Sequence, residues 1–171
     1  MLDALKTILV GRSAAVPQLP AQRYDRNLAA AALMVRVIAA DGVVEPEEIA
    51  RMRAVLLAHY DLSEAETDEL IAQARQADAD AIDLYGFTSV LKSEMDEGER
   101  LHLVEDLWDM VYADGHMDRR EDNVVWRVAE LLGITSDKRI ALKMRVKERT
   151  VNADDDPGDE GPSDEPGPAA A

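Results

Sequence analysis

The chain has 171 residues, which is enough for one domain with its own core, and no stretch approaches the ~20 apolar residues that span a bilayer. The absence of cysteine excludes disulfides, thiolate metal sites and thiol nucleophiles. The formal charge is −16, and seven of the 35 acidic residues lie in 151–171, so the first 150 residues still carry −9. This acidity argues against binding to nucleic-acid backbones or anionic lipid, which both require clustered Lys and Arg.

Apolar residues recur at helical spacing along most of the chain, and no alternating pattern predicts a strand. The sequence therefore predicts an all-α fold, a compact bundle of about seven to eight helices. The predicted helices cover residues 2–10, 24–40, 46–59, 63–77, 79–92, 96–112, 119–132 and 136–147.

Three segments follow from this pattern. Residues 1–22 are predicted to be a short N-terminal helix and a linker, and residues 23–150 the helical domain. Residues 151–171 combine acids with four of the seven prolines, so we expect a disordered acidic tail. The N-terminus has neither a basic front nor a long enough apolar stretch for a secretory signal, and we therefore expect a cytoplasmic protein.

One short motif occurs twice. Residues 40–48, the first corner, and residues 113–121, the second corner, each begin with Ala-Asp-Gly and end with a Glu, 73 positions apart. A helical apolar run precedes each motif and a second one follows it. The repeat predicts two αα-hairpins packed about an approximate two-fold axis, with both corners at the same end of the bundle.

Helix-end chemistry accounts for most of each corner. Gly42 is placed where a helix ends in a left-handed residue, as is Gly115 in the second corner. Glu45 and Asp118 fall at the N-cap of the next helix. The Glu residues that close the motifs, Glu48 and Glu121, fall three positions later, as in a capping box. Two well-capped corners with incidental acids are therefore one interpretation.

Asp41 and Asp114 favour a second interpretation. Both are expected in the last turn of the incoming helix, where the helix dipole disfavours a carboxylate by about 0.3–1 kcal/mol, and a bound cation would compensate. Each corner also matches the second half of an EF-hand loop, although the first half is missing. The candidate metal ligands are Asp41, Glu45, Glu48, Asp114, Asp118 and Glu121. Because all are oxygen ligands, they favour Ca²⁺, Mg²⁺ or Mn²⁺ over zinc.

The doubled Ala-Asp-Gly motif, each followed by a Glu and an amphipathic helix, resembles the tellurite-resistance TerB-like family over residues 24–147. The end of the second helix, Ala-Glu-Leu-Leu-Gly-Ile at 129–134, adds to the resemblance. It implies a compact all-helical domain linked to tellurite and other chemical stress, with the same six acids as a divalent-cation site. Related domains occur at the front of a DnaJ-type membrane co-chaperone, so protein partners at a membrane-associated complex are also implied.

Catalysis finds little support, because the chain has no Gly-rich phosphate loop, no Ser-His-Asp or Cys-His set and no Glu-x-x-His motif. A metal-dependent hydrolase built on clustered acids is a remote alternative. His59 and His102 are predicted to be isolated and structural. His116 could join the corner site as a transition-metal ligand, but a residue inside such a corner is more often a surface residue. We expect a non-enzymatic TerB-like stress-response protein that binds a divalent cation and acts through protein partners. The alternative is a metal-free acidic helical interaction domain, and the sequence does not determine the oligomeric state.

Overall fold

A computed structural model of the chain describes residues 24–113 and 118–154, which form seven α-helices and no strand. The helices are α1 (Arg26–Ile38), α2 (Pro46–His59), α3 (Glu64–Asp80), α4 (Tyr85–Glu94), α5 (Glu97–Val111), α6 (Arg119–Leu131) and α7 (Ser136–Asp154). The predicted helix at 2–10 and the tail from 155 onward lie outside the described residues. None of the seven helices is long and apolar enough to cross a membrane.

Helix α1 is the centre of the bundle. Its alanines at 29–32 are fully buried, as are Leu33, Met34 and Val37. Five helices, α2 to α6, pack around it. Alanine side chains let these neighbours approach the α1 backbone closely, which explains how an aromatic-poor sequence closes its core. Arg36 lies in the last turn of α1, and its guanidinium donates to the side chain and the backbone carbonyl of Asp78 in α3.

The two predicted hairpins are present and related by an approximate two-fold repeat. Helices α1 and α5 end in the same geometry, because Ala39 and Tyr112 both have φ −94° and ψ 4°. Helices α2 and α6 begin alike, with φ/ψ of −79°/146° at Glu45 and −77°/141° at Asp118. Helix α1 packs on α6 while α5 packs on α2, and α3 covers the first hairpin as α7 covers the second. Each repeat therefore contains three helices, with α4 inserted between them.

Several helix bounds differ from those predicted. Helix α3 continues to Asp80, and α4 begins at Tyr85 instead of near residue 79. Ile82, which falls within the predicted helix at 79–92, lies in the intervening loop and is 87% exposed. Hydrogen bonds from Arg36 to Asp78 stabilise the last turn of α3. The alternating Ala and Asp residues at 77–80 have no helical apolar pattern, so the sequence did not predict this turn. Helix α7 extends to Asp154, so the first residues of the predicted tail are helical.

Two other helices, α3 and α5, begin with a capping box. Ser63 and Glu66 form a capping box at α3, and Asp96 and Glu99 form one at α5. In each, the Glu carboxylate accepts the N-cap backbone N–H, at 2.9 Å and 2.8 Å respectively. These boxes satisfy backbone donors that the first helical turn leaves free.

Gly42 provides a test of the corner backbone. Its φ is +89°, whereas Gly86 in the first turn of α4 has ordinary helical geometry and room for a Cβ atom, with Tyr24 Cε2 at 3.6 Å. We expect Gly42→Ala to lower the free energy of unfolding by about 1–2 kcal/mol, since a side chain disfavours positive φ. The matched Gly86→Ala should leave stability unchanged or raise it by up to about 1 kcal/mol. Urea unfolding measures both, and an equal loss in the two variants would contradict the corner geometry.

Candidate functional site

The first corner begins beyond the end of α1. The helix ends at Ile38 with Ala39 as its C-cap, and the Gly42 N–H donates to the Ala39 carbonyl at 3.1 Å. Asp41 therefore lies outside the last helical turn, and the prediction that it stands against the helix dipole was wrong. Its Oδ1 accepts the Val43 N–H at 2.8 Å, which closes an Asx turn. Local backbone chemistry explains why an aspartate stands here.

Each outgoing helix has an acid at its N-cap and a glutamate at its third position. At α2, the N-cap Glu45 N–H donates to Glu48 Oε2 at 2.9 Å. At α6, the N-cap Asp118 N–H donates to the Glu121 carboxyl. Asp118 Oδ1 also accepts the Arg120 N–H at 2.6 Å. The predicted capping positions of the four acids are confirmed, so each acid has a structural role before any ligand is considered.

Glu48 and Glu121 meet between the two corners. They are only 6% and 5% exposed, and their carboxyl groups form a hydrogen bond with each other. Burial, this hydrogen bond and the Glu48 charge together raise the pKa of Glu121 from 4.5 to about 8. At neutral pH the protonated Glu121 carboxyl donates to Glu48. The repeat thus brings the same position of two helices into one buried acid pair.

One electrostatic effect and one hydrogen bond also show that the two corners lie close together. The negative charge of half-buried Asp41 also contributes to raising the pKa of Glu121. From the other side, Arg120 Nη1 donates to the backbone carbonyl of Asp41 at 3.1 Å. One arginine therefore connects α6 to the first corner through a carbonyl, and no described Lys or Arg forms an ion pair with the Asp41 carboxylate.

The remaining predicted ligands are arranged less closely. Glu45 and Asp118 are exposed at their N-caps, and Asp114 lies outside the described residues. Within the described part of the chain, none of the five visible candidate acids forms an ion pair with Lys or Arg. A Lys or Arg paired with these acids would neutralise them and make a cation unnecessary. Among the described residues, no such partner is found.

The buried pair fits some cations better than others. Among the described residues, no three carboxylates or imidazoles converge as a closed metal site requires. A cage built only from protein ligands does not fit this geometry. Mg²⁺ and related hard cations, however, are commonly held by one or two carboxylates and several waters. Glu48 and Glu121 could hold such an ion together, with Asp41 adding negative charge nearby.

A second cluster was missed by sequence reasoning. His59, predicted to be isolated, has its Nδ1 3.0 Å from Oδ2 of Asp106, and its ring centroid lies 6.3 Å from that of His102. The spacing of His102 and Asp106, four residues apart in one helix, places them on the same face of α5. No pattern in the sequence linked that face to the end of α2, because the contact spans more than 40 positions.

Comparison with known proteins agrees with the fold. The chain is similar to a crystal structure of a protein of unknown function from Porphyromonas gingivalis W83, with a TM-score of 0.53 and 19% sequence identity. The match covers 72% of this chain and 94% of that one, and at this identity it shows a shared fold alone. None of the curated proteins matches the chain with significance.

The family assignment rests on the sequence of the helical domain. The family described as "Tellurite resistance protein TerB" matches residues 27–144, which is more than half of the chain and includes both corners. The chain therefore belongs to the TerB family.

Proposed function

We propose that this protein is a non-enzymatic, cytoplasmic stress-response protein of the TerB kind that binds a divalent cation between its two corners and acts through protein partners. The observation that carries the proposal is the buried hydrogen-bonded pair of Glu48 and Glu121. The family's description as tellurite resistance proteins supports the connection with chemical stress.

The acid pair explains why a cation would bind. Two carboxylates in contact cannot both ionise in a buried site without a compensating positive charge, and in the metal-free protein a proton on Glu121 supplies it. A divalent cation would supply more charge and would replace that proton. The absence of Lys and Arg ion pairs at the five visible corner acids leaves these charges available.

The position of the pair suggests what binding would accomplish. Glu48 belongs to the first hairpin and Glu121 to the second, so a shared ion would strengthen the docking of the two halves. Ion occupancy would thereby be coupled to the surface that the bundle presents to a protein partner, and a membrane-associated complex is one setting for such a partner. The acidic surface makes nucleic acid an unsuitable partner.

A metal-free interaction domain is the second candidate. The proton shared between Glu48 and Glu121 satisfies both carboxyl groups without an ion. In this case the corners would be structural, and the acidic exterior would bind a basic partner.

Calorimetric titration separates the two candidates. We expect the metal-free wild type to release or absorb heat with at least one of Ca²⁺, Mg²⁺ and Mn²⁺. At about pH 7 the bound ion should displace roughly one proton, because Glu121 is then protonated. The heat should therefore change with the ionisation enthalpy of the buffer. Glu48→Gln/Glu121→Gln should abolish the heat, since its amides keep the shape of the pair and remove its charge.

Glu66→Gln is the matched control for this titration. Glu66 is also the third residue of a helix and completes a capping box, but it is exposed at the start of α3. This variant should bind the cation as the wild type does. If no ion produces heat with the wild type, the cation proposal is wrong and the metal-free domain remains.

The pH dependence of stability tests the shared proton. The pKa of Glu121 is about 8 in the folded protein, against 4.5 for the ordinary side chain. Between these values the folded chain retains a proton that the unfolded chain has released, so rising pH favours unfolding. We expect the free energy of unfolding in EDTA to fall between about pH 5 and about pH 8, and to fall less in Glu121→Gln.

Urea unfolding at several pH values provides this measurement. Glu66→Gln should keep the wild-type slope, because that exposed carboxylate is ionised in both states over this range. Identical slopes in the wild type and Glu121→Gln would show that the two buried glutamates share no proton. A saturating divalent cation should flatten the wild-type slope if it replaces that proton.

A further inference from the structure

A pair of histidines joins two cavities at the C-terminal end of α2, the opposite end of that helix from Glu48. His59, the last residue of α2, and His102 of α5 line both a cavity of about 270 Å³ and a neighbouring one of about 500 Å³. Asp106, one turn after His102, lines both cavities as well. These three residues form what we call the histidine cluster.

The charge of Asp106 distinguishes this cluster from its surroundings. The other carboxylates of the two cavities each have an arginine partner: Arg26–Glu99 at 2.8 Å, Arg149–Glu105 at 3.2 Å and Arg149–Asp109 at 2.6 Å. Asp106 is only 6% exposed, and among the described residues its one ion-pair partner is His59. A buried carboxylate is stabilised by a positive charge nearby. His59 can supply it by binding either a proton or a metal ion.

The geometry of His59 favours a metal ion. A metal-binding imidazole commonly donates its second N–H to a carboxylate, which fixes the ring and its tautomer. The contact between His59 Nδ1 and Asp106 Oδ2 at 3.0 Å has this arrangement, and it leaves Nε2 as the metal-binding nitrogen. The side chain of His59 is 48% exposed, so the ring is accessible from solvent.

His102 can bind the same ion. The two ring centroids are 6.3 Å apart with an interplanar angle of 51°. Two imidazoles on one tetrahedral metal, with metal–nitrogen distances near 2.1 Å, have ring centroids roughly 5–5.5 Å apart. The observed 6.3 Å is longer than this, so the two side chains must turn toward each other to share an ion, which the half-exposed His59 ring can do. Imidazole nitrogen favours zinc, nickel and copper over the hard cations that carboxylates prefer.

We propose that His59 and His102 bind a divalent transition metal of the zinc class through one imidazole nitrogen each. Asp106 acts as a positioning residue through His59 Nδ1. No third histidine or carboxylate converges with them among the described residues, so water or a partner's side chain completes the coordination. This site is separate from the acid pair at the corners and does not depend on the proposed function.

Zinc titration of the full chain without an affinity tag tests the proposal. The chain has three histidines, and the third, His116, belongs to the second corner. We expect one Zn²⁺ to bind the wild type, and His59→Gln and His102→Gln each to lower the affinity at least roughly tenfold. Asp106→Asn should weaken binding by roughly tenfold, as loss of such a partner does at other sites. His116→Gln is the matched control and should bind as the wild type does.

Imidazole nitrogen NMR of the wild type provides a measurement that does not depend on how the variants fold. Zn²⁺ should shift one ring nitrogen of His59, its Nε2, and one of His102, while the resonances of His116 stay in place. No zinc binding, or binding that shifts only His116, would overturn the proposal. Glu48→Gln/Glu121→Gln should retain zinc binding, so a failure of the corner site and a failure of the histidine cluster give different results.

Discussion

The contact between two buried glutamates is the constraint on which the arrangement of the two hairpins depends. Glu48 and Glu121 each accept the backbone N–H of their own N-cap and also meet each other across the repeat axis. Two negative charges cannot occupy this position together, so the docked hairpins require a proton or a cation between them. A local capping residue therefore becomes, by repetition, an element of tertiary structure whose charge must be neutralised.

The rest of the fold brings this contact about. Helix α1 is buried on nearly all sides and its alanines let five helices pack closely around it. Because α1 packs on α6 and α5 packs on α2, the first turns of α2 and α6 are carried to the same end of the bundle. Helix α4 and the loop before it interrupt the repeat, which shows that the symmetry is confined to the three-helix units.

The two candidate sites offer different kinds of metal ligand. The corner pair has only oxygen ligands and suits hard cations, while the histidine cluster offers imidazole nitrogen and suits softer ones. Both involve α2 and one helix of the second repeat, since Glu48 meets Glu121 of α6 and His59 meets Asp106 of α5. In each site, a buried carboxyl group lacks an arginine or lysine partner within the described residues. Around the histidine cluster the other acids of the two cavities, Glu99, Glu105 and Asp109, are paired with arginine.

The sequence alone determined the helical class, the two hairpins and the capping roles of Glu45, Glu48, Asp118 and Glu121, because these depend on helical periodicity and on contacts within a few residues. The sequence misplaced the end of α1, and Asp41 with it, and it also misplaced the start of α4. Helix ends are hard to predict because they depend on a few competing hydrogen bonds. Only the tertiary structure decided which of the six acids are buried together. It also decided that His59, Asp106 and His102 are neighbours, since proximity between distant segments is set by how whole helices pack.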